Sequence, residues 1–307
     1  MKTISGTPVS RFSFGTMQFG GKADAAASGE MFAACRDAGI NFFDTAFAYN
    51  GGASEVALGK LAAGARDDLF IATKTANQKT ATPEVIHSEF GESRKRLGME
   101  TVDLLYIHQP DPVTPIEVSL EALRGYVEAG AVRYVGVSNF SAWATMKARQ
   151  AARDMGIDLT FLQPMYNLVK RQAEVEILPM AISEGFYVCP YSPLGGGLLT
   201  GKYAAGDGGR IKDDPMYAVR YAPEWMHEAA AGLKALSDEA GVHPATLAVA
   251  FVARHQGTWG PIISARSAEQ LAPSLAAMDF EMDDALYVRI AGLTPAPPPA
   301  NDRLEEA

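Results

Sequence analysis

Along the chain, short runs of β-branched and aromatic residues alternate with longer stretches in which apolar residues return every three or four positions. The short runs are RFSFGTM, INFFDT, LFIATK, VDLLYIH, VRYVGVSN, LTFLQP, FYVCPYS and PIISAR, and each reads as a strand. Between two of them, TPEVIHSEFGESRKRLG carries helix punctuation. Thr82 can cap, Pro83 sits at the first helical position, Gly98 follows the last turn, and Ile86, Phe90 and Leu97 share one face. The same device predicts a helix from Thr114 and Pro115 to Gly130, with Ile116, Leu120 and Leu123 as its buried stripe, and another from Ser141 to Gly156. Such alternation predicts parallel strands joined by helical crossovers, closed into a barrel or opened into a doubly wound sheet. No strand-turn-helix carries G-x-G-x-x-G, the phosphate-binding turn of the open dinucleotide-binding sheet. The expectation is therefore an α/β fold, a (β/α)8 TIM barrel with a short N-terminal β segment, forming one domain over residues 1–293. The tail 294–307, TPAPPPANDRLEEA, offers no core face and is expected to be poorly ordered.

Composition narrows the partners. A chain of 307 residues, 48% hydrophobic, can bury a large core. Its formal charge of −9, uninterrupted by any Lys/Arg cluster, repels phosphate backbones and anionic membranes, so neither nucleic acid nor a membrane is expected as a partner. Cys35 and Cys189 stand in apolar contexts and give neither a disulfide framework nor metal-ligand spacing. The five histidines show neither H-x-H nor H-E-x-x-H, so no metal is expected and a metal-dependent barrel hydrolase loses its support. The N-terminus lacks an apolar signal region and no run approaches the roughly 20 residues of a membrane span. These features suggest a cytoplasmic protein; they set no oligomeric state.

In a parallel barrel the chemistry gathers where strands end. The runs end on Thr16 and Met17, Asp44, Lys74, His108, Ser138 and Asn139, Gln163, Tyr191 and Ser192, and Ser264 to Arg266. Three consecutive strands thus deliver Asp, Lys and His to one mouth, with Tyr49 on the loop after the first. Taken singly, Asp44 and Lys74 read as a structural ion pair, His108 as a core histidine and Tyr49 as a loop aromatic. Together they suit acid catalysis. A phenol, pKa about 10, serves as a general acid near neutral pH when its neighbours stabilise the phenolate. An adjacent ammonium does so, an aspartate keeps that ammonium charged, and a histidine can orient a carbonyl oxygen.

These residues carry a resemblance to the aldo-keto reductase superfamily. DTAFAYNGGASEVALGK is similar to the family's aspartate-to-tyrosine signature with its G-x-S-E-x-x-L-G continuation, Gly52 to Gly59. ATK, DLLYIHQPD, GVSNF and YSPLGGGLLTGK follow in family order. QPMYNLVKRQAE with GLLTGKY looks most like the aflatoxin-aldehyde and succinic-semialdehyde reductase branch. The resemblance implies reduction of aldehyde or ketone carbonyls by hydride transfer, with Asp44, Tyr49, Lys74 and His108 as the catalytic tetrad. It also implies NADPH as the cofactor, NADH being the alternative.

Places for such a cofactor can be read beside the resemblance. Thr16, Met17 and Asp44 lie at the first two strand ends. Ser138, Asn139 and Gln163 offer amide and hydroxyl groups for a nicotinamide carboxamide, or merely cap strand ends; Tyr191 can stack on the ring. Ser192, Leu194, Gly196 and Lys202 lie in SPLGGGLLTGKY, which nearly spells a P-loop but has Tyr203 where a small hydroxyl is needed. Its glycines still admit a pyrophosphate, with Lys202 and Arg210 supplying charge, or form a plain surface loop. Ser264, Arg266 and Gln270 stand at the last strand end. Arg266, just before a helix N-terminus, suits a ribose 2′-phosphate, while Gln270 pairs with Ser267 at capping-box spacing. Ser264 replaces the usual glycine, and Pro273 is expected to bend the helix. Tyr217, Arg220, Tyr221 and Trp225 line an aromatic pocket with one cation, or pack the loop on the barrel. A cofactor-sensing subunit of the same fold, related to potassium-channel β-subunits, is the alternative to an enzyme.

Overall fold

The computed structural model describes residues 1–78, 80–203 and 208–301, apart from the side chain of Arg210. The end of the tail, 302–307, lies outside the described residues. Eight parallel strands form one curled sheet: β1 Ser13–Gly15, β2 Phe42–Asp44, β3 Phe70–Thr75, β4 Val102–Ile107, β5 Val132–Ser138, β6 Leu159–Gln163, β7 Tyr187–Val188 and β8 Ile262–Ile263. Their order runs β7-β6-β5-β4-β3-β2-β1-β8. The β7 and β8 ends meet at a seam, where the Trp259 and Ile262 amides donate to the Val188 and Pro190 carbonyls (2.7 and 2.9 Å) and Tyr191 bridges Ile262. That seam closes the (β/α)8 barrel.

The helices are α1 Ala25–Asp37, α2 Ala53–Ala62, α3 Pro83–Leu97, α4 Ile116–Glu128, α5 Ala142–Asp154, α6 Ile177–Glu184, α7 Arg210–Asp213, α8 Pro215–Arg220, α9 Glu224–Ala240, α10 Pro244–Arg254, α11 Ala268–Leu275 and α12 Asp284–Ala291. Thr82 and Ser141 cap α3 and α5 as the punctuation predicts. Thr114 does not cap α4. That helix begins one residue beyond Pro115, because Asp111 Oδ1 captures the Val113 and Thr114 amides (2.7 and 3.0 Å) and winds the preceding loop around its own carboxylate. Pro273 sits inside α11, which gives way after two turns to a 3-10 turn at Ala276–Met278.

Strand side chains alternate between two cores. Phe42, Phe70, Ala72, Leu104, Tyr106, Phe161, Cys189 and Ile262 fill the barrel interior with Val9 from the N-terminal segment. Phe14, Phe43, Ile71, Leu105, Ile107, Val135, Val137 and Leu162 point outward into the layer shared with the helices. Counting two residues on from the inward set leads to Asp44, Lys74, His108 and Gln163, so the pleat that builds the core also aims these polar groups into its open end. Close packing needs Gly136 on β5, where a Cβ would lie 2.6 Å from the Tyr106 ring, and Gly59 on α2, where one would lie 2.4 Å from the Leu97 carbonyl oxygen at the end of α3.

Candidate active site

At the mouth, Lys74 is fully buried and its Nζ donates to Asp44 Oδ1 and to the Thr45 carbonyl (2.7 Å). The Tyr49 hydroxyl lies 3.4 Å from the same nitrogen. The second Asp44 oxygen accepts from Gln163 Nε2 at 2.9 Å, so β2, β3 and β6 are tied through one carboxylate. The His108 ring stands edge-on to Tyr49, centroids 5.9 Å apart. Its Nδ1 is buried and has no protein hydrogen-bond partner among the described residues.

The electrostatics follow from burial and neighbours. Burial opposes the Lys74 charge, but Asp44 and Tyr49 outweigh it, and the lysine pKa is raised above its ordinary value. Burial pushes the Asp44 carboxyl up, with Lys74 and Gln163 pulling it back. The sequence led us to expect Lys74 to favour the Tyr49 phenolate. It does act in that direction, yet burial exceeds it and the phenol pKa is raised, so Tyr49 holds its proton at neutral pH. Burial, aided by the Lys74 charge, brings His108 down to about 3, which leaves a neutral imidazole.

The other predicted residues are distributed around this centre. Thr16 is fully buried, its hydroxyl bonded to the Asp44 carbonyl (3.2 Å) and the Ser54 hydroxyl (2.9 Å); the Met17 carbonyl accepts from Asn50 (2.8 Å). Ser138 Oγ donates to the Gln163 carbonyl (2.9 Å) and accepts from Asn139 (3.2 Å). Asn139, at φ +64°, also donates to the His108 carbonyl (2.9 Å) and accepts from the Tyr191 hydroxyl (2.7 Å). These strand-end polar groups thus already knit the mouth together. Ser192 is left-handed at φ +65°. The Leu194 carbonyl accepts from the Gly197 and Leu199 amides (2.9 and 3.2 Å), closing a 3-10 turn over Gly195–Thr200.

Within that turn Gly195, Gly196 and Gly197 all have positive φ, which only glycine adopts without strain in succession. A Cβ on Gly196 would fall 2.8 Å from the Tyr217 ring, and one on Gly197 3.1 Å from Lys202 Nζ. The lysine therefore folds back over a half-buried backbone turn, the geometry of an anion cradle. Unlike in a P-loop, the described residues that follow the glycine turn directly, Gly201 to Tyr203, are not helical. Ser264 Oγ donates to the Gly15 carbonyl at 2.8 Å, a bond glycine could not make. Arg266 is half-buried and forms no ion pair with a described residue, while exposed Gln270 gives its amide N–H to the Ser267 cap at 3.3 Å. Arg220 lies over Tyr217 at 5.0 Å; Tyr221 is buried, so it packs the loop onto the barrel, and Trp225 is exposed.

Two contributors were missed in the sequence. Tyr106 lies beneath Lys74, 6.0 Å from ring to nitrogen, and its place two residues before His108 was a usable signal. Arg96 reaches the Tyr49 loop from α3, with no local pattern to announce it.

The family model described as Aldo/keto reductase family matches residues 11–294. A probable voltage-gated potassium channel subunit beta of Oryza sativa subsp. japonica is 32% identical over 90% of this chain and 89% of its own length. Its counterpart in Arabidopsis thaliana is 33% identical over the same shares. Aflatoxin B1 aldehyde reductase member 2 of Rattus norvegicus is 35% identical over 91% of this chain and 83% of its own. On the barrel, the mouth and this match together, the chain belongs to the aldo/keto reductase family.

Proposed function

We propose that this protein is an NADP(H)-dependent reductase of small aldehydes or ketones, cytoplasmic, acting on diffusible substrates rather than nucleic acid or membranes, with Tyr49 as the general acid. The observation that carries the reading is the contact between the Tyr49 hydroxyl and Lys74 Nζ, 3.4 Å, beside an imidazole whose buried Nδ1 has no hydrogen-bond partner among the described residues. The mouth also fits the cofactor: the glycine turn with Lys202 suits a pyrophosphate, and Arg266, without a carboxylate partner among the described residues, suits a 2′-phosphate. Ser138, Asn139, Gln163 and Tyr191 would hold the nicotinamide, with Asn139 exchanging its Tyr191 bond for the carboxamide.

When bound, the cofactor supplies the hydride that reaches the carbonyl carbon. Tyr49 gives its proton to the carbonyl oxygen as charge develops there, and the Lys74 ammonium steadies the phenolate left behind. Asp44 keeps that ammonium charged and in place. Neutral His108 donates a hydrogen bond to the carbonyl oxygen and orients it without competing as an acid. Tyr49→Phe should lower kcat for a good aldehyde about 100-fold or more while NADPH binding, followed by protein fluorescence, stays within about twofold. Wild-type turnover in that variant would refute the assignment.

A second reading is favoured by the two plant relatives named as channel subunits: a sensor that binds the cofactor with little turnover. NADPH binding by the wild type without consumption across an aldehyde panel would select it.

A further inference from the structure

Tyr49 is carried by a loop whose own hydrogen bonds are few. On one side the loop zips onto β3: the Thr45 amide donates to the Ala72 carbonyl (2.9 Å), the Phe47 amide to the Lys74 carbonyl (3.1 Å), and Lys74 Nζ to the Thr45 carbonyl (2.7 Å). Past Tyr49, Asn50 Nδ2 ties the loop to the Met17 and Phe19 carbonyls (2.8 and 2.9 Å), while the peptide before Tyr49 is held on its outer side by Arg96. Arg96, in the last turn of α3, donates from Nη1 to the Phe47 carbonyl (3.1 Å) and lays its guanidinium over the Phe47 ring at 4.5 Å. The same Nη1 lies 3.4 Å from Glu55 Oε2, and Nε lies 3.4 Å from Glu92 Oε1.

Glu55 is fully buried, and its other oxygen accepts from Thr73 Oγ1 at 2.7 Å, one residue before Lys74. A berth is left for the guanidinium at Gly52, where a Cβ would fall 2.4 Å from Arg96 Cζ. Glu89, one face of α3 further back, accepts the amide of Ala76 just past β3 at 2.7 Å. One helix thus grips both the loop bearing Tyr49 and the strand bearing Lys74. Holding α3 against α2 does not need this arginine, since Gly59 already seats on the Leu97 carbonyl.

We propose that Arg96, locked by Glu55, is a positioning residue for Tyr49: it fixes the Phe47 peptide so that the phenol stays in reach of Lys74. This rests on the reading of Tyr49 as the acid. A displacement of about 1 Å in a reacting group can cost about 100-fold in rate, and Asn50 anchors the loop beyond Tyr49 without touching the Phe47 peptide that Arg96 holds.

The test compares wild type, Arg96→Gln and Arg96→Lys in NADPH-dependent aldehyde reduction, with cofactor labelled by deuterium on its transferring carbon. Arg96→Gln should lose about 10- to 100-fold in kcat, keep its NADPH affinity, and show a larger deuterium isotope effect because chemistry has become slower than release. Arg96→Lys, which can still donate to the Phe47 carbonyl, should recover part of the loss. Unchanged kcat in Arg96→Gln overturns the inference. So does a kcat reduced only in proportion to cofactor-binding capacity with an unchanged isotope effect, which marks a smaller folded fraction. If Arg96→Gln does not fold, the isosteric Glu55→Gln is read by the same criteria. A wild type that turns over no aldehyde defeats the functional reading itself, a different outcome from an active wild type matched by its variant.

Discussion

His108 shows how one side chain links burial to pH. Its folded pKa of about 3 lies below the ordinary imidazole value near 6.5, so between those values the unfolded chain binds the extra proton. The stability it contributes is therefore present above pH 6.5 and is lost as pH falls toward 3. In urea titrations from pH 7 to pH 4.5, His108→Asn should lose stability less steeply than the wild type; equal slopes would mean the imidazole is not held neutral. The role of such residues was legible only in part. The ends of the apolar runs located Asp44, Lys74, His108 and Gln163 because the point where a run stops is written in the sequence, whereas the raised pKa of Tyr49 was not, since the depth at which a loop residue lies is set by packing around it.

At the scale of elements, the strands were readable as apolar runs and two helix starts from their caps, Thr82 before Pro83 and Ser141, while the start of α4 was not. There a side chain three residues upstream, Asp111, won the Thr114 amide that a local cap would leave free. Long-range fits were equally silent: nothing near Gly136 says that its missing side chain makes room for Tyr106, thirty residues earlier in the chain. Gly136→Ala should consequently overpack the barrel interior against Tyr106 and the Phe161 Cβ, 2.6 and 2.9 Å away. Loss of about 1–3 kcal/mol in denaturant unfolding is expected. A variant as stable as wild type would show that the Tyr106 ring can move aside, and with it the floor beneath Lys74.

For the whole molecule, the barrel has two differently built ends. The mouth is stitched by side chains, while the opposite end is closed by the N-terminal segment, in which Lys2 pairs with Pro8 and the Lys2 carbonyl accepts from Arg133 at 3.0 Å. Val9 caps the interior beside Phe42 and Phe70, and Asn41 holds the Pro8 carbonyl at 2.9 Å. Along β3, Phe70 and Lys74 are separated by four residues, about 13 Å of strand, with Ala72 and the Tyr106 ring filling the space between. The two ends should then be separable. Removing residues 1–9 takes away the Val9 side chain, about 1.5–3 kcal/mol of burial, and opens the Phe42 and Phe70 rings to water, so the melting temperature should fall by several degrees. With Asp44, Tyr49, Lys74 and His108 supported from the other end, the KM for the proposed aldehyde substrate and the affinity for the proposed cofactor NADPH should not change in the folded protein. Calorimetry and steady-state kinetics on the truncated chain measure both. A shifted KM at unaltered thermal stability would reverse that division of labour, making the N-terminal segment part of the active end and not its distant floor.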